Sequence, residues 1–270
     1  MCIRDRVKIT LTFSLLTACS PDADQKSFQT NTANVYISEF RKTEILANKG
    51  DTTAQYETGR AYAKGDGVPK NDEKAVDWFL KAAAHGDQAS QYNLGILYSN
   101  GRGVPKDYDQ AFYWYEKAAA QGNKLAQYSL GHHYFSGTYI EKDLSKAMEM
   151  FRKSANQGYA KSQYNLGFMY VKGHNSRVDN KKAFFWFHKA AEQGEARAQY
   201  HLSFMYANKL GVPKDLVKAY QWMSLAAKQG DELAIQNIAK ISMLMTVNEF
   251  AEGERIAEEC LLKNYKGCVG

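Results

Sequence analysis

A glycine returns every 36 residues along most of this chain, at Gly50, Gly86, Gly122, Gly158, Gly194 and Gly230. Other positions keep the same register. Gln55-Tyr56 recurs as Gln91-Tyr92, Gln127-Tyr128, Gln163-Tyr164 and Gln199-Tyr200, and Ala75, Ala111, Ala147, Ala183 and Ala219 also lie one period apart. A fixed period of this length marks a repeat array, in which each unit buries its apolar face against its neighbours. Such an array offers an extended surface more readily than a closed catalytic pocket.

The unit from Asp87 to Gly122 predicts two helices. Ala89, Tyr92, Leu94, Gly95 and Tyr98 follow helical spacing in the first. Gly101-Arg102-Gly103-Val104-Pro105-Lys106 ends it, because two glycines and a proline do not continue a helix cheaply. Asp107 is the expected N-cap of the second helix, with Gln110 completing a capping box, and the helix is expected from about Tyr108 to Ala120. Gly122 is the expected C-terminal cap. A glycine also recurs inside the first helix, at Gly59, Gly95, Gly131 and Gly167, with Ser203 and Ala239 replacing it later. Mid-helix glycine costs about 1 kcal/mol against alanine, so its return asks for close helix–helix approach. The alanine pairs Ala82-Ala83, Ala118-Ala119, Ala190-Ala191 and Ala226-Ala227 are the expected facing surface.

These motifs together resemble the Sel-1-like repeat family. They are Ala-x-Gln-Tyr-x-Leu-Gly-x-x-Tyr, a Gly-x-Gly-Val-Pro-Lys-Asp loop, and Ala-x-x-Trp-aromatic with Ala-Ala before Gly. The resemblance covers Asp51 to Gly230 as five repeats. It implies an all-α fold, a right-handed α/α solenoid of helix-loop-helix units related to tetratricopeptide repeats. Residues 35–50 read as an N-terminal capping helix. Residues 231–270 read as a degenerate sixth repeat and C-terminal cap, in which Thr246-Val247-Asn248-Glu249 forms a capping box opening a last helix.

In such solenoids the first helices tend to line the concave side, where residues outside the motif set the ligand. The third, seventh and tenth residues after each repeat glycine share one helix face. Asn93, Ile96, His132, Lys161, Asn165, Phe168, Arg197, His201, Phe204 and Asn237 on that face are the candidate partner-binding residues. The asparagines are expected to hydrogen-bond the backbone of a protein or extended peptide, with Phe168 and Phe204 as apolar contacts. The competing reading makes each Asn an ordinary exposed helix residue.

Nothing in the motifs points to bond chemistry. His132 and His133 are adjacent and so diverge by about 100° on a helix, which suits no single metal ion. The Gly-x-Gly loops follow no strand and precede no Gly-Lys-Ser/Thr. No catalytic residue, cofactor or metal is expected. Cysteine-rich members of the family, with a Cys pair in each repeat, have been called β-lactamases. The repeats here contain no Cys, so an envelope hydrolase of that type is the disfavoured alternative. The net charge of +6 is spread over every repeat and mixed with acids, which argues for a solvated surface and against nucleic acid as partner.

The ends carry different signals. Arg4, Arg6 and Lys8 precede an apolar run from Ile9 to Ala18, the layout of a secretory leader too short to span a bilayer permanently. Leu16-Thr17-Ala18-Cys19 resembles a bacterial lipobox. That implies a signal peptide over residues 1–18 and lipidation of Cys19, and Ser20 after it implies sorting to the outer membrane, facing the periplasm. Several acyl chains on one residue anchor a protein firmly. Residues 19–34 are polar and read as a flexible tether. In an exported protein Cys260 and Cys268 either pair and staple the last helix to the tail, the favoured reading, or stay free. The expectation is therefore a lipid-anchored interaction scaffold of the envelope. A cytosolic regulator would require the leader to be spurious.

Overall fold

The computed structural model describes residues 39–174 and 177–268. The leader, Cys19 and the tether lie outside the described residues. Among those described there are thirteen helices and no strand. Helix α1 covers residues 39–48. The repeats follow as pairs of an A helix and a B helix: α2 (Thr52–Lys64) with α3 (Asp72–Ala84), α4 (Gln88–Asn100) with α5 (Tyr108–Ala120), α6 (Lys124–Ser136) with α7 (Leu144–Asn156), α8 (Ala160–Lys172) with α9 (Asn180–Ala191), and α10 (Ala196–Asn208) with α11 (Leu216–Lys228). Helices α12 (Glu232–Ser242) and α13 (Val247–Leu262) close the array. The architecture is an all-α solenoid.

Local chemistry explains where the helices start and stop. Asp87 caps α4 by accepting from the Ser90 N–H, and Asp107 caps α5 by accepting from the Gln110 N–H. The expected capping box at Gln110 is not formed. The Asp107 N–H instead donates across the loop to the Tyr98 carbonyl, so no side chain is needed to satisfy it. The same cross-loop bond joins Asn71 to Tyr62, Asp143 to Tyr134, Asp179 to Tyr170 and Asp215 to Tyr206. At Thr246 the box does form, with the Thr246 N–H on Glu249 and the Glu249 N–H on the Thr246 hydroxyl. Gly122 follows α5 at φ +92°, which lets the Asn123 N–H reach back to Ala118 as in a Schellman turn.

The mid-helix glycines do mark close approach, but the surface they face is aromatic rather than the alanine pairs. A Cβ on Gly59, Gly95, Gly131 or Gly167 would come within 2.5–2.8 Å of the ring of Phe79, Tyr115, Phe151 or Phe187 respectively. Each ring lies on the B helix of the same repeat and is almost fully buried. The fifth repeat makes the contact differently. Met223 stands where the ring would be, and Ser203 replaces the glycine with its hydroxyl donating to the Ala219 carbonyl. The alanines serve elsewhere. Gln91 donates through Nε2 to the Ala83 carbonyl of the preceding B helix, and Gln127, Gln163 and Gln199 do the same to Ala119, Ala155 and Ala191.

A second glutamine completes this junction. Gln121, Gln157, Gln193 and Gln229 each donate through Nε2 to the Oε1 of the buried Gln thirty positions earlier. In the first repeat His85 occupies that place, and the buried Gln55 Oε1 is left without a partner. At the far end, Cys260 on α13 and Cys268 are joined by a disulfide with Cα atoms 5.2 Å apart. The Cys268 carbonyl accepts from Gln221 Nε2 on α11, which ties the tail to the last full repeat.

Candidate functional site

The A helices meet one another through two adjacent positions. The motif tyrosine of one repeat meets the seventh residue of the next: Tyr92 is hydrogen-bonded to Ser129, and Tyr128 to Asn165. In the next step Tyr164 meets His201 ring to ring, with centroids 5.8 Å apart. The outer face of the A helices is thus a continuous surface built from neighbouring repeats.

It deepens into an open cleft of about 790 Å³ where α8, α10 and the start of α12 converge. Phe168, Arg197 and His201 from the candidate set line it together, with Tyr164, Tyr200 and Asp231. The His201 ring lies nearly parallel to Phe187 at 5.0 Å and also touches Phe168 at 6.2 Å. Burial among these rings pushes its pKa down to about 4, against a smaller opposing pull from Asp231. His201 is therefore neutral near pH 7, an aromatic wall rather than a charge. Burial likewise raises the Tyr164 phenol.

The rest of the candidate set is spread along the face or turned inward. Phe204 is 48% exposed. Lys161 and His132 are also exposed, the latter beside Tyr128. Ile96 is half-buried and packs partly against the core around Leu130 and Tyr115. The asparagines have partners within the protein. Asn93 and Asn237 donate through Nδ2 to Ala89 and Leu233 of their own helices, and Asn237 also accepts from Lys240. Half-buried Asn165 instead joins its helix to Tyr128 of the preceding repeat.

Several cleft residues escaped the sequence reading. Tyr164 and Tyr200 look like repeat motif, and Asp231 like a helix cap. Glu195 sits at the N-cap of α10 but makes no side-chain bond to that helix. Its Asp and Asn counterparts at positions 51, 87, 123 and 231 all do. The departure of Glu195 from that series is the signal that was available. Among the described residues no three His, Cys, Asp or Glu side chains stand together to hold a metal ion, and no helix is long and apolar enough to cross a membrane.

Comparison with known proteins agrees with this geometry. Five consecutive segments, residues 52–87, 88–123, 124–159, 160–195 and 196–231, match the Sel1 repeat. The chain belongs to the Sel1 repeat family. Among solved structures, a Sel1 repeat protein from Oxalobacter formigenes is similar at 28% identity and a TM-score of 0.71, over 92% of this chain and 98% of that one. A protective antigen of uropathogenic Escherichia coli strains, c5321, described as displaying an SLR fold, is similar at 26% identity and a TM-score of 0.59, over 85% of this chain. This chain spans 57% of that antigen's length. No curated protein sequence matches. Sel1 repeat proteins are generally protein-interaction scaffolds and typically non-catalytic.

Proposed function

We propose that this Sel1 repeat protein is a non-catalytic scaffold of the bacterial cell envelope, holding a protein or peptide partner on its A-helix face. The observation that carries the reading is the cleft, where Phe168, Arg197 and His201 from separate turns and repeats converge beside the half-buried rings of Tyr164 and Tyr200. The titration shifts of His201 and Tyr164 come first from burial, and no nucleophile and base are paired there to use them. A rigid array with such a surface binds by displaying it. A photoreactive phenylalanine analogue at position 204 on the A face should cross-link a partner in intact cells, and the same group at exposed position 152 on α7 should not. Equal yields from both, or none from 204, would contradict the scaffold reading.

The envelope half of the proposal rests on the lipobox-like Leu16 to Cys19 segment and on the Cys260–Cys268 disulfide, a bond that persists in oxidising compartments. Lipid on Cys19 would hold the array at the outer membrane, on the periplasmic side, with residues 19–34 as the tether. Radiolabelled palmitate should enter the wild-type protein and not Cys19→Ser. A wild-type protein without label would place the array elsewhere.

A further inference from the structure

The chemistry of the cleft narrows what its occupant carries. The chain has a net charge of +6, yet the cleft is lined by three carboxylates, Glu195, Asp231 and Glu232, against one guanidinium, Arg197. A basic molecule has placed an acidic patch in this open cleft. Asp231 spends one oxygen on the Ala234 N–H at the start of α12. Glu195, by contrast, makes no bond to α10 and no ion pair. Burial raises the phenols of Tyr128, Tyr159 and Tyr164 first, and the Glu195 carboxylate adds to that at all three, opposed by Arg197 at Tyr128 and more strongly at Tyr164.

Those rings supply the other half of a cation site. Tyr164 and Phe168 have centroids 6.4 Å apart, and Tyr200 joins them at the cleft wall. Aromatic faces attract an ammonium or guanidinium through the ring quadrupole, and a carboxylate adds a charge-assisted hydrogen bond. The protein already uses the first of these at the same ring, since Lys172 Nζ lies 5.6 Å from the Phe168 centroid. The start of α10, with its free N–H groups, on its own favours an anion. Glu195 supplies that negative charge from within the chain, so the position is already filled. Neutral His201 adds nothing to repel a cation.

We infer that the cleft receives a lysine or arginine side chain from an extended partner segment, with its charge held between the Glu195 carboxylate and the rings of Tyr164 and Tyr200. This rests on the reading of the protein as a peptide-binding scaffold. Arg197, on the same helix, faces the partner's backbone carbonyls or an acidic neighbour of the basic residue.

The test uses capped Ala/Ser peptides carrying lysine, norleucine or glutamate at the same central positions. They are titrated into the isotope-labelled full chain while backbone amide shifts are followed. The lysine peptide should shift amides of α8, α10 and the start of α12, and the other two should bind more weakly. Glu195→Gln should cost the lysine peptide about fivefold in affinity and leave the norleucine peptide unchanged. Because Glu195 makes no capping bond and meets the start of α10 through its charge alone, that variant should lower the thermal midpoint by no more than about 2 °C. Preferred binding of the glutamate or norleucine peptide, indifference to Glu195→Gln, or no shift at the cleft would overturn the inference. None of these outcomes touches cross-linking from position 204, on which the scaffold reading stands or falls separately.

Discussion

The seam between the two helices of a repeat and the outer face of the A helices are made from the same turns of helix, yet they obey different rules. At the seam the fourth repeat sets Gly167 against Phe187, and the fifth sets Ser203 against Met223. When the ring goes, the glycine goes with it, and a hydroxyl on the Ala219 carbonyl fills the gap. On the face, the position after the motif tyrosine is Ser129, Asn165 or His201, three chemistries in three successive repeats. The seam tolerates only compensated change because interiors are close-packed. The face position varies more widely because the tyrosine of the preceding repeat accepts a hydroxyl, an amide or a ring beside it. Stability should therefore live in the seam and recognition on the face.

The largest effect expected at the seam comes from Phe187→Ala. The ring is fully buried against Gly167 and stacked on His201. Its loss should destabilise the C-terminal repeats by about 4 kcal/mol, read as lost protection in native-state hydrogen exchange. Next comes acid. The folded pKa of His201, about 4, lies below its ordinary value, so its native environment excludes the proton. The stability this gives is fully present above the unfolded pKa of about 6.5 and is lost as pH falls from there toward 4, up to about 3 kcal/mol. Denaturant midpoints of wild type and His201→Phe between those pH values should diverge in that direction; parallel curves would remove His201 from the account.

Two smaller effects sharpen the comparison further. Gly131→Ser should cost about 1–2 kcal/mol by driving Cβ into the Phe151 ring. Combined with Phe151→Met it recreates the fifth repeat's solution, and a double-mutant cycle should return a favourable coupling of about 1 kcal/mol. Strict additivity would mean that the two seams are not alternatives. His85→Gln should restore the missing partner of Gln55 Oε1 and raise stability by about 1 kcal/mol, measured by denaturant unfolding.

Much of this was legible in the chain. The period, Pro105 and Gly101, and the cap at Asp107 located α4 and α5 to within two residues of where they lie. Gly131 announced a close approach, but not its partner. Periodicity gives the face of a helix that is buried, whereas the phase of the second helix decides whether an alanine or Phe151 meets it. The cleft was half legible for a similar reason. Phe168, Arg197 and His201 vary between repeats and so stood out, while Tyr164 and Tyr200 were hidden by their regularity. Contacts between successive A helices depend on how the repeats wind, and a period of 36 does not state the winding. Gln121 was in view, but its bond to Gln91 crosses from one repeat's end to its own beginning, a distance no local pattern reports.

The division between seam and face is tested most directly at Arg197, which is exposed, lines the cleft and makes no ion pair. Arg197→Glu should leave the thermal midpoint within about 2 °C of wild type, as a surface change does. The same variant should change the yield of partner cross-linking from position 204 severalfold. Unchanged cross-linking in a normally folded Arg197→Glu protein would contradict the account.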